Sequence, residues 1–475
     1  MTALGGCSRY LAGNEPREPD TTVPASFDAA ADATGATSMA QQQWDAFFSD
    51  PHLCALIEAA LENNQELNIR LQEIIIAQNE VAARRGEYLP KVDAQVGAGI
   101  EKVGHHTPQG ISDEAHGVPT HLPRFRFGLA ASWEIDIWGK LRAARKAADA
   151  RYLASIEARN FIVTQIISEI AASYYELLAI DKEIEVLESY VELQRDALRV
   201  VELKKAAARG TALPVQRFSA DVLKNESRLA DLERQRIQTE NNINFLVGRF
   251  PQPVQRDRAS FDAPPPGSLA TGLPSDLLQN RPDVRQAELQ LEAAKLDVKV
   301  AKARFYPALS LEADVGYESF NIRHLVATPQ ALAYNIAGNL IAPLLNWAAI
   351  KADYRSANAA QIQAVFEYER TILLAFTEVV NHLAAVRTLE VRTAKLEGQV
   401  ETMREAIDVS NLLYQSAHAD YLEVLLTRRE SLDAELELIE AKVEQFKARV
   451  AVYQALGGGW RRGDARGKTN GDGRG

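Results

Sequence analysis

The chain has 475 residues, a hydrophobic share of 46% and a formal net charge of −11. The acidic balance argues against a nucleic-acid partner. Two cysteines, Cys7 and Cys54, are too few for a disulfide framework or a cysteine-based metal site. The length suits two or three ordinary domains or one elongated one, and the Ala, Leu, Glu, Arg and Gln content is that of long helices.

Leu4-Gly5-Gly6-Cys7 reads as a lipobox, where small residues admit a signal peptidase to a cysteine that is then acylated. Six preceding residues are too few for the charged and apolar regions of a signal peptide. The reading therefore places the true start upstream, with 1–7 the remnant of a leader. Residues 8–49 carry Pro, Asp, Ala, Thr and Ser without periodicity and read as an extended tether. Asp50-Pro51 is a cap residue followed by proline, so a helix is expected from there to about Gly86. Cys54 shares an apolar face with Leu53, Leu56 and Ile57 and reads as core.

After Tyr88-Leu89-Pro90 the period changes to 2: Val92, Ala94, Val96, Ala98 and Ile100 alternate with polar residues or glycine. A polar loop follows to Pro123. Between Arg124 and Trp138 apolar side chains occupy 125, 127, 129, 131, 133, 135 and 137. That alternation lasts about 14 residues, against ~5–6 for a soluble strand. Tilted by ~45°, it would rise roughly 33 Å, the height of an outer-membrane barrel wall. The hairpin is expected over 91–138. Phe125, Phe127, Leu129, Trp133 and Ile135 should face lipid, and Arg124, Arg126, Glu134 and Asp136 should face water inside. Trp138 and Trp347 lie at strand ends, where an aromatic belt or burial at a bend would each suit them.

Between Gly139 and Lys205 there is neither proline nor glycine, and aliphatic residues recur at spacings of 3 and 4. A helix over 139–205 would be a rod of roughly 100 Å that must lie against others like itself. The best candidate anywhere in the chain for a membrane-spanning helix, Phe161 to Ile180, carries Glu169 and Glu176, so no membrane-spanning helix is expected. A second helix is expected over 215–247, then a Pro- and Gly-rich linker over 249–275.

From there the pattern repeats. An offset of 217 places Leu61 on Leu278, Asn63 on Asn280 and Pro90 on Pro307; an offset of 209 places Trp138 on Trp347 and Gly248 on Gly457. The repeats are 50–248 and 276–457. The second is expected to hold a helix, a hairpin over 308–345, a long helix over 348–415 and a last helix over 421–456, before a disordered tail over 461–475. Four strands cannot close a barrel wide enough for a channel, and lipid tolerates no open sheet edge. If the strands are in a membrane, several chains must share one barrel.

These residues resemble a known family, the TolC-type outer-membrane factors, in the lipoprotein branch paired with resistance–nodulation–division efflux pumps. The matching motifs are Trp133-Glu-Ile-Asp-Ile-Trp-Gly139, Asn244-Phe-Leu-Val-Gly248, Asn280-Arg-Pro-Asp-Val284, Ala303-Arg-Phe-Tyr-Pro-Ala-Leu-Ser-Leu311 and Tyr453-Gln-Ala-Leu-Gly-Gly-Gly-Trp460. With the lipobox and the repeat, the likeness covers about residues 7 to 460. It implies a mostly α fold with a transmembrane β part. In that family three chains build one twelve-stranded barrel continuous with a long α-helical barrel. The result is a passive exit duct, closed at its periplasmic tip until a membrane-fusion adaptor and an inner-membrane pump engage it.

The resemblance also places the constriction at the start of the final helix. Glu423 occupies a position where many members carry aspartate, and threefold rings of carboxylate or apolar side chains narrow a pore. Leu426 departs from the second acidic ring of some members, which leaves Leu422, Leu426 and Arg429 as further gate-lining positions. The plain alternative for Glu423 is a solvated helix face. His105, His106, His116 and His121 cluster in the first loop; a transition-metal site there is weighed against an exposed loop, and the loop is the better reading. No nucleophile motif, phosphate loop or HExxH occurs, so neither enzyme chemistry nor a cofactor is expected. Glu226 and Glu233 among Arg228 and Arg234 read as a solvated face of i,i+4 pairs. A lipid-anchored coiled-coil scaffold without a pore is the alternative function.

Overall fold

The computed structural model describes residues 16–27, 38–208, 211–266, 271–343, 347–416, 418 and 421–461. In chain order the elements are α1 (Trp44–Phe47), α2 (Pro51–Asn63), α3 (Gln65–Glu87), β1 (Lys91–Glu101), α4 (Pro108–Ala115) and β2 (Leu122–Ile135). Then come α5 (Lys140–Ala206), α6 (Ala212–Val247), α7 (Leu277–Asn280), α8 (Pro282–Ala303), β3 (Ala308–Ser319), β4 (Leu332–Ile341), α9 (Trp347–Gln415) and α10 (Tyr421–Ala455). The chain is mostly helical, with one four-stranded sheet. Cys7 and residues 462–475 lie outside the described residues.

Contacts divide the chain into two compact units. The first comprises Met1–Pro19, Ile74–Ser155 and Ala287–Tyr368, and it holds the sheet. Its strands run antiparallel in the order β1-β2-β3-β4. The register sets Val96 opposite Phe127, Phe127 opposite Tyr317 and Tyr317 opposite Leu332. Because side chains alternate faces along each strand, this register collects the apolar residues of all four strands on one face. At the centre Gly128 sits opposite Gly316; a Cβ on Gly128 would lie 2.4 Å from the Val315 carbonyl oxygen. Only glycine fits that approach.

The strand-to-helix junction explains the Trp-Glu-Ile-Asp-Ile-Trp-Gly motif. The Asp136 side chain is 2% exposed. It accepts from the Leu141 N–H at 3.2 Å, the Arg142 N–H at 3.0 Å and the Arg142 guanidinium. It thereby satisfies first-turn donors of α5 that have no intrahelical partner. Gly139 supplies the left-handed turn at φ +73° between strand and helix. The two indole N–H groups brace the strands: Trp133 donates to the Tyr88 carbonyl at 3.0 Å and Trp138 to the Pro307 carbonyl at 2.8 Å. Trp138 remains half-exposed and stacks on Tyr306, whereas Trp347 packs on a cluster of Val298, Ala301, Phe305 and Tyr354.

The second unit comprises Asp20–Glu73, Ile156–Gln286 and Glu369–Gly475. Its core joins Leu53 and Ile57 of α2, Ile167, Ile170 and Leu177 of α5, Ile243 of α6 and Tyr453 of α10. Asp50 caps α2 through the His52 and Leu53 N–H groups and also accepts from the Tyr174 hydroxyl at 2.8 Å. Arg281 is buried between Asp283 and Glu378 and donates to the Ala455 carbonyl. Burial alone would lower its pKa, but the two carboxylates win and hold it charged.

Several expectations need correction. The helix from Asp50 does not run unbroken to Gly86. Asn64 adopts an extended conformation, donates to the Leu246 carbonyl at 2.7 Å and caps α3 through the Leu67 N–H. The tether over 8–49 is not loose at its end. Phe47 stacks on Tyr453 with centroids 4.1 Å apart, and Met39, Ala40 and Phe48 are buried. Upstream, the buried Gln361 amide exchanges two hydrogen bonds with the Arg17 backbone. The linker over 249–275 is packed too: Arg256 pairs with Asp181 and Glu240 inside the unit, and Phe261 is buried. Glu226 pairs across helices with Arg195, and Arg234 pairs with Asp231 three residues away, so the expected i,i+4 pairs do not form. The apolar window long enough to span a membrane lies in α9 rather than at 161–180.

Burial alone would raise the Asp136 carboxyl, but two backbone N–H donors and Arg142 outweigh it and hold the pKa below the usual carboxylate value. A depressed folded pKa adds stability above the unfolded value of ~3.9, and that stability disappears as pH falls through the folded value. Asp136→Ala should therefore cost about 1–2 kcal/mol at neutral pH. The gap from the parent should close under acid, as read from thermal melts at several pH values.

Candidate functional site

Two surfaces stand out. The first is the sheet. Its apolar face carries Phe125, Phe127, Leu129, Trp133 and Ile135 of β2 beside Val96, Tyr317, Leu311 and Ile336, as the register dictates. In the chain this face lies open: Val96 is 88% exposed, Tyr334 77% and Ile336 72%. A soluble protein covers such a patch, because it is a site for association with lipid or protein. The opposite face is charged and polar. Arg124 pairs with Glu318 at 2.7 Å, Arg126 donates to Gln95 at 3.0 Å and Asn335 to Asp314 at 3.4 Å. Asp93, Gln95 and Ala333 of the edge strands line a hollow on the sheet together with residues of β2 and β3. A wall that is apolar outside and polar inside is the cross-section of an outer-membrane barrel.

The second surface lies at the start of α10. Leu422, Glu423, Leu426 and Arg429 fall at helical spacings of 1, 4 and 7 and share one exposed stripe. Leu422 is 50% and Leu426 48% exposed. The other side of the same turn holds the helix in place: Val424 is buried, and Leu425 packs on Ala197, Val201 and Phe218 of α5 and α6. Arg429 reaches Asp433 at 4.0 Å, and both stay exposed, so the contact contributes little. Sequence reading misses one contact nearby. The Lys204 ammonium donates to the Tyr414 hydroxyl at 2.7 Å, joining the far ends of α5 and α9. No spacing pattern announces a pair 210 residues apart.

The loop histidines make local contacts. His105 Nδ1 lies 3.1 Å from Glu114 Oε2, and His116 Nδ1 2.7 Å from the Ser112 carbonyl. Among the described residues no group of three or more His, Cys, Asp or Glu side chains converges as metal ligands would.

The chain matches the family described as Outer membrane efflux protein over residues 56–249 and 273–458. It is 30% identical over 461 residues to the pyoverdine export outer membrane protein OpmQ of Pseudomonas aeruginosa, covering 96% of this chain and 95% of that protein. Identity to the toluene efflux pump outer membrane protein TtgC of Pseudomonas putida is 27% over 473 residues, covering 96% and 93%. Among solved structures, the outer-membrane channel OprN superposes with a TM-score of 0.83 at 26% identity, covering 95% of this chain and 99% of that one. VceC of Vibrio cholerae superposes with a TM-score of 0.77 at 25% identity, covering 87% and 98%. The exposed apolar sheet face, the polar face opposite it and these matches lead to one assignment: the chain belongs to the outer membrane efflux protein family, a family of efflux channels rather than of enzymes.

Proposed function

We propose that three copies of this chain share one twelve-stranded barrel and act as a passive exit duct of a tripartite efflux system. The observation that carries this reading is the sheet, whose two edge strands and apolar face have no partner among the described residues. Lipid tolerates no free edge, so edge must meet edge between copies. Exposed Leu373 and Leu374 of α9 offer a further apolar surface for a neighbouring copy. Their helix holds an apolar 18-residue window, but that helix is anchored in protein through Glu378 on Arg281. An internal duplication supports the same reading. Lys91 pairs with Ser132 and Ala308 with Ile341, which are the 217 and 209 offsets applied to the two strands. A Cβ at Gly248 would strike the Asn63 carbonyl, and one at Gly457 the Asn280 carbonyl, again related by those offsets.

In this reading the duct stands in the outer membrane of a Gram-negative bacterium, with Cys7 acylated as its anchor. A membrane-fusion adaptor and a resistance–nodulation–division pump deliver small molecules to it: drugs, toxic compounds or metal ions. The stripe of Leu422, Glu423, Leu426 and Arg429 forms the gate, where a ring of Glu423 carboxylates would favour cations. The lipid-anchored scaffold without a pore leaves the alternating sheet unexplained.

Purified protein should run as a trimer and pass current in planar bilayers; a monomer without conductance overturns the proposal. Glu423→Ala should reduce cation selectivity. Tyr414→Phe removes the hydroxyl that receives Lys204, an exposed bond worth about 0.5–1.5 kcal/mol. It should raise the open-tip population about two- to tenfold, seen as higher leak current. Unchanged selectivity and leak would move the gate elsewhere.

A further inference from the structure

The shared-barrel reading, on which this inference rests, brings β4 of one copy beside β1 of the next. The geometry points to one register for that seam: Tyr334 opposite Ile100, Gly338 opposite Val96 and Ala337 opposite Gly97 of the next copy. Of three observations, backbone polarity and closure narrow the choice to two registers, and side-chain size decides between them.

The first is backbone polarity. The Glu318 N–H donates to the Ala331 carbonyl at 2.8 Å. In an antiparallel ladder successive residues point their N–H and C=O groups to opposite sides. Carried through the registers of β3 and β2, this leaves Leu332, Tyr334, Ile336, Gly338 and Leu340 of β4 with backbone groups turned outward. On β1 the same reasoning picks Val92, Ala94, Val96, Ala98 and Ile100. These are also the apolar-face residues of both strands, so a seam that matches hydrogen bonds matches faces. The smallest slip that keeps both is two residues.

The second is closure. Across the sheet, one line passes through Val96, Phe127, Tyr317 and Leu332. The distance along β1 from Val96 to the residue that meets Leu332 on the next copy sets the strand tilt. Copying the internal β2–β3 seam with the two offsets sets Tyr334 opposite Lys102. The stagger is then about eight residues per chain and the tilt ~54°. Membrane barrels tilt by ~35–45°. One two-residue step brings Tyr334 to Ile100, with a stagger of about six and a tilt of ~46°; a further step, to Ala98, gives ~35°.

The third is side-chain size. With Tyr334 opposite Ile100, Ile336 faces Ala98, Gly338 faces Val96 and Leu340 faces Ala94; these last three pairs set large against small, and Tyr334–Ile100 is the one crowded pair. In the register before it Ile336 meets Ile100 and Leu340 meets Val96 while Gly338 meets Ala98. In the one after it Ile336 meets Val96 and Leu340 meets Val92 while Gly338 meets Ala94. Either alternative crowds two pairs and leaves a gap at the third.

The seam is tested by cross-linking the full chain in membranes, in a Cys54→Ala background. The odd-numbered pairs are not hydrogen-bonded to each other, so their Cα atoms lie ~4.5 Å apart, within disulfide reach. Ala337→Cys is combined in turn with Gln95→Cys, Gly97→Cys and Gly99→Cys and oxidised with copper-phenanthroline. At Gly97 an added Cβ meets only the flexible Arg126 side chain, at 3.3 Å, and at Gly99 it meets nothing within 4 Å. The expected result is covalent trimers at least several-fold more abundant with Gly97→Cys than with the other two. Asn335→Cys with Gly99→Cys, in the same register, should cross-link equally well and covers the case where the first pair folds poorly. A maximum at Gln95→Cys or Gly99→Cys with Ala337→Cys overturns the register. Conducting trimers that cross-link in no pair overturn it while leaving the shared barrel intact. Monomers without conductance overturn both.

Discussion

The constraint on which the rest depends is the unfinished sheet. Hydrogen bonding of strand backbones must be completed before a sheet can sit in hydrocarbon, and four strands in open order leave two edges without partners. The same strands carry an apolar face that the described residues leave uncovered. In the proposed shared barrel one remedy meets both deficits: a second and third copy complete the ring, with lipid around it. Under that proposal oligomerisation, membrane location and a polar lumen all trace to one sheet.

The junction between sheet and helix is where the chain concentrates its specialised residues. Strand and helix demand different backbone geometry, and the last strand residue is separated from the first helical one by only a few positions. Gly139 supplies the turn, Asp136 receives the first orphan N–H groups, and the indoles of Trp133 and Trp138 tie the strand ends to the chain entering the neighbouring strands. Alternation along β2 predicts Asp136 facing water in the barrel interior. Its burial under the start of α5 makes it a capping residue instead.

The strands are legible because period-2 alternation over 10–14 residues fits neither a helix nor a loop, and the long helices because proline and glycine are so scarce in them. What cannot be read depends on partners distant in sequence. The break at Asn64 is set by the Leu246 carbonyl, 182 residues away. The docking of Phe47 needs Tyr453, and the order of the linker needs Asp181 beneath Arg256. Local composition there says loop, and tertiary contact overrides it. Along α10, helical spacing is enough to place Leu422, Glu423, Leu426 and Arg429 on one stripe, but the tie between Lys204 and Tyr414 leaves no local trace.

The measurement that bears most directly on the central claim is a cysteine scan along β2 from Arg124 to Ile135, with a membrane-impermeant thiol reagent applied to the assembled protein in outer membranes. Reactivity should alternate. Even positions, on the polar face, should label from the lumen, and odd positions such as Phe125, Phe127, Leu129, Trp133 and Ile135 should be protected by lipid. Uniform labelling along the strand, or labelling of the odd positions alone, would contradict a barrel with its apolar face in the bilayer.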